Sequence, residues 1–406
     1  MDKNITFIEK PSIEMVKGFY TNGIHCGLKK DNKLDLGIVL SEKKAKAYAM
    51  YTVNLVKGAP LIVTKEHLED DYAQALVVNS KIANTCTGKE GINNSKKICK
   101  AAADCFNIDE TDVIPMSTGV IGAQLPVDKI CDGIKKLSGC IKEENPNNFT
   151  GAIMTTDTFP KIRGVRVNYN DAEYTIIGTA KGSGMIHPNM ATLLAFFFTD
   201  ANISHDLLKK AFIKAVDNSF NCITVDGDTS TNDTALILAN GMADNNEISD
   251  ENTFEFQVFC EALSEISLDL AKLIVKDGEG ITKFVEIIVN NAKTEDEAKK
   301  VAMTVANSNL VKTAFFGEDP NWGRIICAVG YSNVFFDINK FDLYLDNKLI
   351  FSDGSKADFN ENDIKNILQN DEFKVIIDLK SGDFSKTVWT CDLSYDYIKI
   401  NADYRT

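Results

Sequence analysis

The sequence predicts a mixed α/β protein with substantial antiparallel sheet, not a doubly wound parallel one. Strand-like and helix-like stretches alternate along the whole chain, and short apolar runs flanking tight turns gather toward the C-terminus. Neither a low-complexity linker nor a fixed-period repeat interrupts the pattern. At 406 residues the chain exceeds the usual single-domain size, so two lobes or one large two-layer unit are expected.

Taken in order, Ala75-Leu76-Val77-Val78 reads as a short buried strand that stops at polar Asn79-Ser80. Residues 193–198 are continuously apolar after a glycine- and proline-bearing turn, the pattern of a strand buried on both faces. Over 204–220, Leu207, Leu208, Ala211, Phe212, Ala215 and Val216 recur at three- and four-residue spacing and predict a helix. The acidic, polar stretch 242–252 predicts a surface loop, and 261–276 a second helix closed by Asp277-Gly278. Thr294-Glu295-Asp296-Glu297 is a capping box opening a helix through Ala298, Val301, Ala302 and Val305. The run from Asp319 to Arg324 reads as a rigid turn that packs Trp322. Two hairpins are expected near the end: 342–345 with 348–351 around Asp346-Asn347, and 374–380 with 387–391 around Ser381-Gly382-Asp383.

The bulk properties exclude several functions. A net charge of −14 argues against nucleic acid, although local lysines can still hold an anionic substrate. No segment approaches the roughly 18 apolar residues of a membrane span, and residues 1–10 lack the apolar core of a secretory signal. The ten cysteines are scattered without a Cys-x-x-Cys pair, and Cys99 with Cys105 lacks the partners a zinc site requires. No metal is expected, and the cysteines fit reduced thiols of a cytoplasmic protein.

Lys181-Gly182-Ser183-Gly184-Met185-Ile186-His187-Pro188-Asn189-Met190-Ala191-Thr192 then leads into Leu193-Leu194. A hydroxyl at the mouth of a buried strand is well placed to be a nucleophile, but an internal threonine has no base of its own. A cut between Ala191 and Thr192 would supply one. The new α-amine, with a pKa of about 7.7–8.0, could take the Oγ proton near neutral pH. Gly182-Ser183-Gly184 is not a dinucleotide loop, because His187 stands where the third glycine belongs. Asp226-Gly227-Asp228 opens like a calcium loop but has Thr231 and Ile237 at the positions of the essential glycine and glutamate.

This segment resembles the self-cleavage site of the bifunctional ornithine acetyltransferase/N-acetylglutamate synthase family of arginine biosynthesis. The resemblance extends through Val77-Val78-Asn79-Ser80, Ser117-Thr118-Gly119-Val120-Ile121-Gly122, Met154-Thr155-Thr156-Asp157 and the stretch from Thr224 to Asp233. It continues through Asp277-Gly278-Glu279-Gly280 and the stretch from Phe316 to Arg324, and ends at Ile400-Asn401-Ala402-Asp403-Tyr404-Arg405-Thr406. One departure stands out: Lys81-Ile82-Ala83-Asn84 replaces the family's usual Gly-Asn-Ala-Asn.

The resemblance implies a layered αββα core of the N-terminal-nucleophile type with a second C-terminal lobe. It implies autoproteolysis into fragments 1–191 and 192–406, paired as an α2β2 assembly. Acetyl would pass from N-acetylornithine to glutamate by a ping-pong route through acetyl-Thr192, with Thr118 and Gly119 as the oxyanion hole. Thr155, Lys181, Thr192, Glu279, Asn401 and Thr406 match substrate-binding positions. No cofactor is implied, though a bifunctional member would take acetyl-coenzyme A as a substrate. The competing expectation is an N-terminal-nucleophile amidohydrolase or aminopeptidase, in which water takes the acyl group. His187 is expected to be structural, and Asp226 to Ser230 to brace the wall of the site.

Overall fold

The structure, a computed structural model, describes residues 4–30, 32–143, 145, 148–169, 172–187 and 193–403. The chain forms two compact units. The larger comprises Met1–Gly182, Asn189–Asn221 and Thr229–Ile274; the smaller comprises Ser183–Pro188, Cys222–Asp228 and Val275–Thr406.

Among its described residues the larger unit holds nine strands: β1 (Ile5–Phe7), β2 (Phe19–Ile24), β3 (Leu36–Tyr51), β4 (Tyr72–Asn79), β5 (Val113–Ser117), β6 (Lys161–Tyr169), β7 (Ala172–Lys181), β8 (Leu194–Thr199) and β9 (Thr234–Ala239). They form one sheet in the order β1-β6-β7-β8-β9-β3-β4-β5, with β2 also on β3. Only β4/β5 and β8/β9 pair in parallel. Its helices are α1 (Ala59–His67), α2 (Gly88–Phe106), α3 (Val127–Ser138), α4 (Asn148–Ile153), α5 (His205–Asp217) and α6 (Phe254–Lys276), whose last two residues belong to the smaller unit.

Strand β3 is the hinge of this sheet. Its first half pairs with β2 and β4, its second half with β9, and the register shifts between Leu40 and Ala45. Such an irregularity bends a strand, and here both ends of the sheet contribute to one core. Phe19, Leu76, Val78 and Met116 share it with Ile177, Phe196, Phe198 and Leu236. The Phe19 and Phe198 rings lie 5.4 Å apart, and Phe149 of α4 meets Phe196 at 6.1 Å. The outer faces are covered by helices. Val77 packs with Ile98 of α2 and Ile130 of α3, while Phe197 meets Phe212 of α5 at 5.5 Å and Tyr174 meets Phe259 of α6 at 6.0 Å. The result is a helix–sheet–sheet–helix sandwich. All six residues of β8 are buried because Phe196 and Phe198 point inward and Phe197 outward.

The smaller unit has strands β10 (Phe284–Ala292), β11 (Asp342–Leu345), β12 (Lys348–Ser352), β13 (Ser355–Lys356), β14 (Glu372–Asp378) and β15 (Phe384–Cys391), ordered β13-β12-β11-β14-β10-β15. Helices α7 (Glu295–Ala306), α8 (Asn309–Phe316), α9 (Trp322–Gly330) and α10 (Glu361–Gln369) pack on it, and α11 (Tyr395–Ala402) ends the described chain. The Thr294 hydroxyl accepts from Glu297 N at 3.1 Å, as a capping box requires. The Asp346-Asn347 hairpin also forms, with Asp346 at φ +49°.

Four expectations need correction. Strands β14 and β15 do not pair with each other; β10 runs between them, parallel to β14 and antiparallel to β15. The turn between them instead straddles the end of β10, with Ser381 N and Gly382 N both donating to Asn291 O. Helix α6 begins at Phe254, not 261, because Phe254-Glu255-Phe256-Gln257-Val258 alternates with a period of two and hides the helical period. The stretch 242–252 is irregular but not all surface: Asn245 and Ile248 are buried, and Asn245 Nδ2 donates to Asn202 O. Only the first part of the 319–324 run is a turn; Trp322 opens α9 and packs on Phe351.

Phe197→Ala would leave a void between β8 and α5, so it should cost about 3–5 kcal/mol in urea unfolding. A loss below about 1 kcal/mol would contradict the packing described.

Candidate active site

Two constellations of polar residues stand out, one in each unit. In the larger, parallel pairing of β4 and β5 brings Ser117 beside Asn79. Ser117 Oγ donates to Asn79 Oδ1 at 2.6 Å, and Thr118 N donates to Asn79 O at 3.0 Å. The loops beyond are zipped together: Val120 N donates to Lys81 O at 2.9 Å, and Ala83 N to Val120 O at 3.0 Å. Asn232 Nδ2 ties both loops by donating to Ala83 O and Ser117 O. Gly119 has φ +130°, and a Cβ there would stand 2.2 Å from the Lys81 carbonyl, so only glycine fits.

The loop that departs from the family pattern is therefore the one against which the Thr118-Gly119 pair rests. Lys81 adopts φ +85°, a conformation that costs a side-chain-bearing residue about 1–3 kcal/mol.

Lys181 ends β7 opposite Leu194 of β8. Its buried Nζ donates to Thr118 Oγ1 at 3.4 Å. Behind it stands Asp157, whose side chain has no solvent exposure. Its Oδ2 accepts from Thr155 N at 2.9 Å, and its Oδ1 from Gly182 N and Lys161 Nζ, each at 2.7 Å. Burial alone would raise the carboxyl pKa, but Lys181 and Lys161 outweigh it and bring it down to about 2. Asp157 thus joins Thr155 to the Lys181-Gly182 peptide. It is a positioning group that the motif pattern included without revealing its role.

In the smaller unit Glu279 follows α6. Its N–H donates to Ser183 O at 2.9 Å, and its carboxylate accepts from Asn401 Nδ2 at 2.9 Å. That carboxylate also lies against Gly184, where a Cβ would stand 2.3 Å from Oε2. Asp226 clamps the same turn, accepting from Met185 N at 2.6 Å, Ile186 N at 2.9 Å and Tyr397 Oη at 3.3 Å. Burial raises the Asp226 pKa against these hydrogen bonds. Thr224 Oγ1 lies within hydrogen-bond distance of Ile186 O and Asn307 Oδ1, and Asn307 Nδ2 donates to His187 Nδ1 at 3.3 Å. Burial lowers the His187 pKa, which suits a neutral acceptor.

Of the residues expected at the site, Thr118 meets Lys181, Thr155 is tied to the Lys181-Gly182 peptide through Asp157, and Glu279 meets Asn401. Ala191, Thr192 and Thr406 lie outside the described residues. Among the described residues no cluster of three His, Cys, Asp or Glu is spaced to hold a metal ion, and no helix is long and apolar enough to cross a membrane.

The ArgJ family model matches residues 20–406. The chain belongs to the ArgJ family. A relative from Caldanaerobacter subterraneus subsp. tengcongensis, named arginine biosynthesis bifunctional protein ArgJ, is 48% identical over 398 residues, covering 97% of this chain and 98% of its own length. Another of that name, from Geobacter sulfurreducens, is 47% identical over 394 residues, covering 96% of this chain and all of its own. Among solved structures, the ArgJ protein of Bacillus halodurans is 42% identical with a TM-score of 0.43, matching 46% of this chain and 98% of its own. The ornithine acetyltransferase of Mycobacterium tuberculosis, solved in complex with ornithine, is 30% identical with a TM-score of 0.41 over the same shares.

In this ArgJ-family chain, Asp157→Asn would break the buried pair with Lys161, at a cost of about 3–5 kcal/mol. Because the folded-state pKa lies below the ordinary 3.8, Asp157 stabilises fully above that value. That contribution fades as pH falls from about 4 to about 2. Urea midpoints across that window should show the acid-side slope reduced in Asp157→Asn; an unchanged slope would refute the assignment.

Proposed function

We propose that this chain is a glutamate N-acetyltransferase, moving acetyl from N2-acetyl-L-ornithine to L-glutamate after cutting itself between Ala191 and Thr192. Family membership supports the reaction class. The observation that carries the site is the contact of Lys181 with Thr118, beside a glycine whose conformation admits no side chain.

In self-cleavage, Thr192 Oγ attacks the Ala191 carbonyl carbon, the peptide C–N bond breaks, and water hydrolyses the resulting ester. The freed α-amine then takes the Oγ proton as Oγ attacks the acetyl carbonyl of N-acetylornithine. Thr118 and Gly119 hold the tetrahedral oxyanion, a donor set worth on the order of 3–4 kcal/mol of barrier per donor. The C–N bond breaks and ornithine leaves with the proton; the neutral glutamate amine then attacks the acetyl-Thr192 ester, the acyl C–Oγ bond breaks, and the amine's proton passes by way of the α-amine to Oγ as N-acetylglutamate leaves. Lys181 suits a substrate carboxylate by charge-assisted hydrogen bonds, and Glu279 an ammonium. Thr155, Asn401 and Thr406 take the remaining binding roles that the family resemblance gives them. No cofactor enters these steps. The word "bifunctional" in the relatives' names supports a second loading of Thr192, from acetyl-coenzyme A. Two cut chains would pair as α2β2.

Intact mass under denaturing conditions should show fragments of about 21 and 24 kDa, the larger beginning Thr192-Leu193-Leu194. Under native conditions they should co-elute, because β8 and β9 of the second fragment lie between β7 and β3 of the first. Thr192→Ala should abolish both cleavage and transfer; an active Thr192→Ala enzyme would end the proposal.

A further inference from the structure

Glu279 stands in the smaller unit with its side chain closely surrounded. The residue is 7% exposed, and among the described residues its carboxylate has one hydrogen-bond donor, Asn401 Nδ2 at 2.9 Å, and no cation. A carboxylate this buried is ordinarily paired. N-acetylornithine brings a single ammonium, at the end of its side chain, and that group would complete the pair. Where the carboxylate stands then decides how well the ammonium is held.

Its place is set by a side chain that is missing. A Cβ on Gly184 would lie 2.3 Å from Oε2, 2.4 Å from Cδ and 2.7 Å from Oε1 of Glu279, and these are the three nearest atoms it would meet. Unlike Gly182, Gly184 does not have a positive φ, so the backbone conformation does not itself call for glycine. An added methyl group would therefore displace the Glu279 carboxylate first.

The segment carrying Gly184 is anchored independently of the cut. Ser183 O accepts from Glu279 N, Met185 N and Ile186 N donate to Asp226, and Ile186 O accepts from Val225 N at 2.9 Å. Ser183 and Ile186 are both buried. Every anchored residue lies before Ala191 in the sequence, and every partner lies after Thr192. Breaking the bond between Ala191 and Thr192 removes none of these contacts. The tail of the first fragment stays a part of the smaller unit, beside Glu279 of the second.

We propose that Gly184 is a positioning residue for the ornithine half of the reaction. From the first fragment's tail it leaves the space in which the second fragment's Glu279 carboxylate stands to hold the side-chain ammonium of N-acetylornithine. The inference rests on the acetyl-transfer reading, and the kinetics separate the two. In a ping-pong reaction, kcat/KM for N-acetylornithine reports only the first half-reaction and kcat/KM for glutamate only the second. Glutamate attacks with a neutral amine, so its half gains nothing from an ammonium contact.

Gly184→Ala should still cut into the two fragments. Its kcat/KM for N-acetylornithine should fall about tenfold or more, while that for glutamate stays within about twofold of the unaltered enzyme. Added to Glu279→Ala, the same substitution should cost nothing further. An equal fall for both substrates, no fall for either, or a full cost in the Glu279→Ala background overturns the role of Gly184. Should Gly184→Ala fail to fold or to cut, Glu279→Asp draws the carboxylate back by one methylene with its charge kept. Undiminished kcat/KM for N-acetylornithine in Glu279→Asp overturns the inference. Hydrogen exchange on the cut enzyme should find the Met185 and Ile186 amides protected; rapid exchange overturns the seating of the tail. An unaltered enzyme that moves no acetyl from N-acetylornithine to glutamate overturns the acetyl-transfer reading, and this inference with it.

Discussion

The larger unit depends on one strand having no polar face. With every residue of β8 buried, it can sit only in the interior of the layered sandwich, covered on both sides. Its alternating phenylalanines then fasten the two sheet faces to each other and to α5. The same pairing fixes β7 in register, which delivers Lys181 to the strand end facing Leu194. A lysine buried there needs compensation, and Asp157, from elsewhere in the sequence, favours its charge.

That buried carboxylate shows how weakly net charge describes a site. The chain carries −14 overall, yet around Asp157 stand Lys161 and Lys181, with Lys29 near enough to feel both Asp157 and Lys181. Such a local group of cations suits carboxylate-bearing ligands whatever the exterior charge. Backbone groups do as much of the work as side chains. The N–H groups of Thr155 and Gly182 in the larger unit, and of Met185 and Ile186 in the smaller, end on aspartates, so each unit's polar constellation is held by charge-assisted hydrogen bonds.

Much of this was legible in the sequence where one signal dominated locally. The apolar runs of β4 and β8, the cap at Thr294 and the turn at Asp346-Asn347 each rest on neighbouring residues. The crossing of β10 between β14 and β15 rests on a strand more than eighty residues upstream, so the short Ser381-Gly382-Asp383 link passed for a hairpin. Motif matching marked Thr118, Thr155 and Lys181, and the structure connects them through Asp157 and direct contact. The clamping role of Asp226 and the position of Lys29 are fixed by contacts across 40 and 125 residues, beyond any local pattern.

The placement of β8 and β9 between β7 and β3 has a kinetic meaning. In one continuous chain, the link from β7 to β8 holds the inserted pair at an effective concentration on the order of millimolar. Folding is then first order and indifferent to dilution. Two separate pieces would have to find each other before either could close the sheet. A cut made after folding would therefore leave a protein that is easy to keep and hard to rebuild, its assembly recorded in a bond it no longer has.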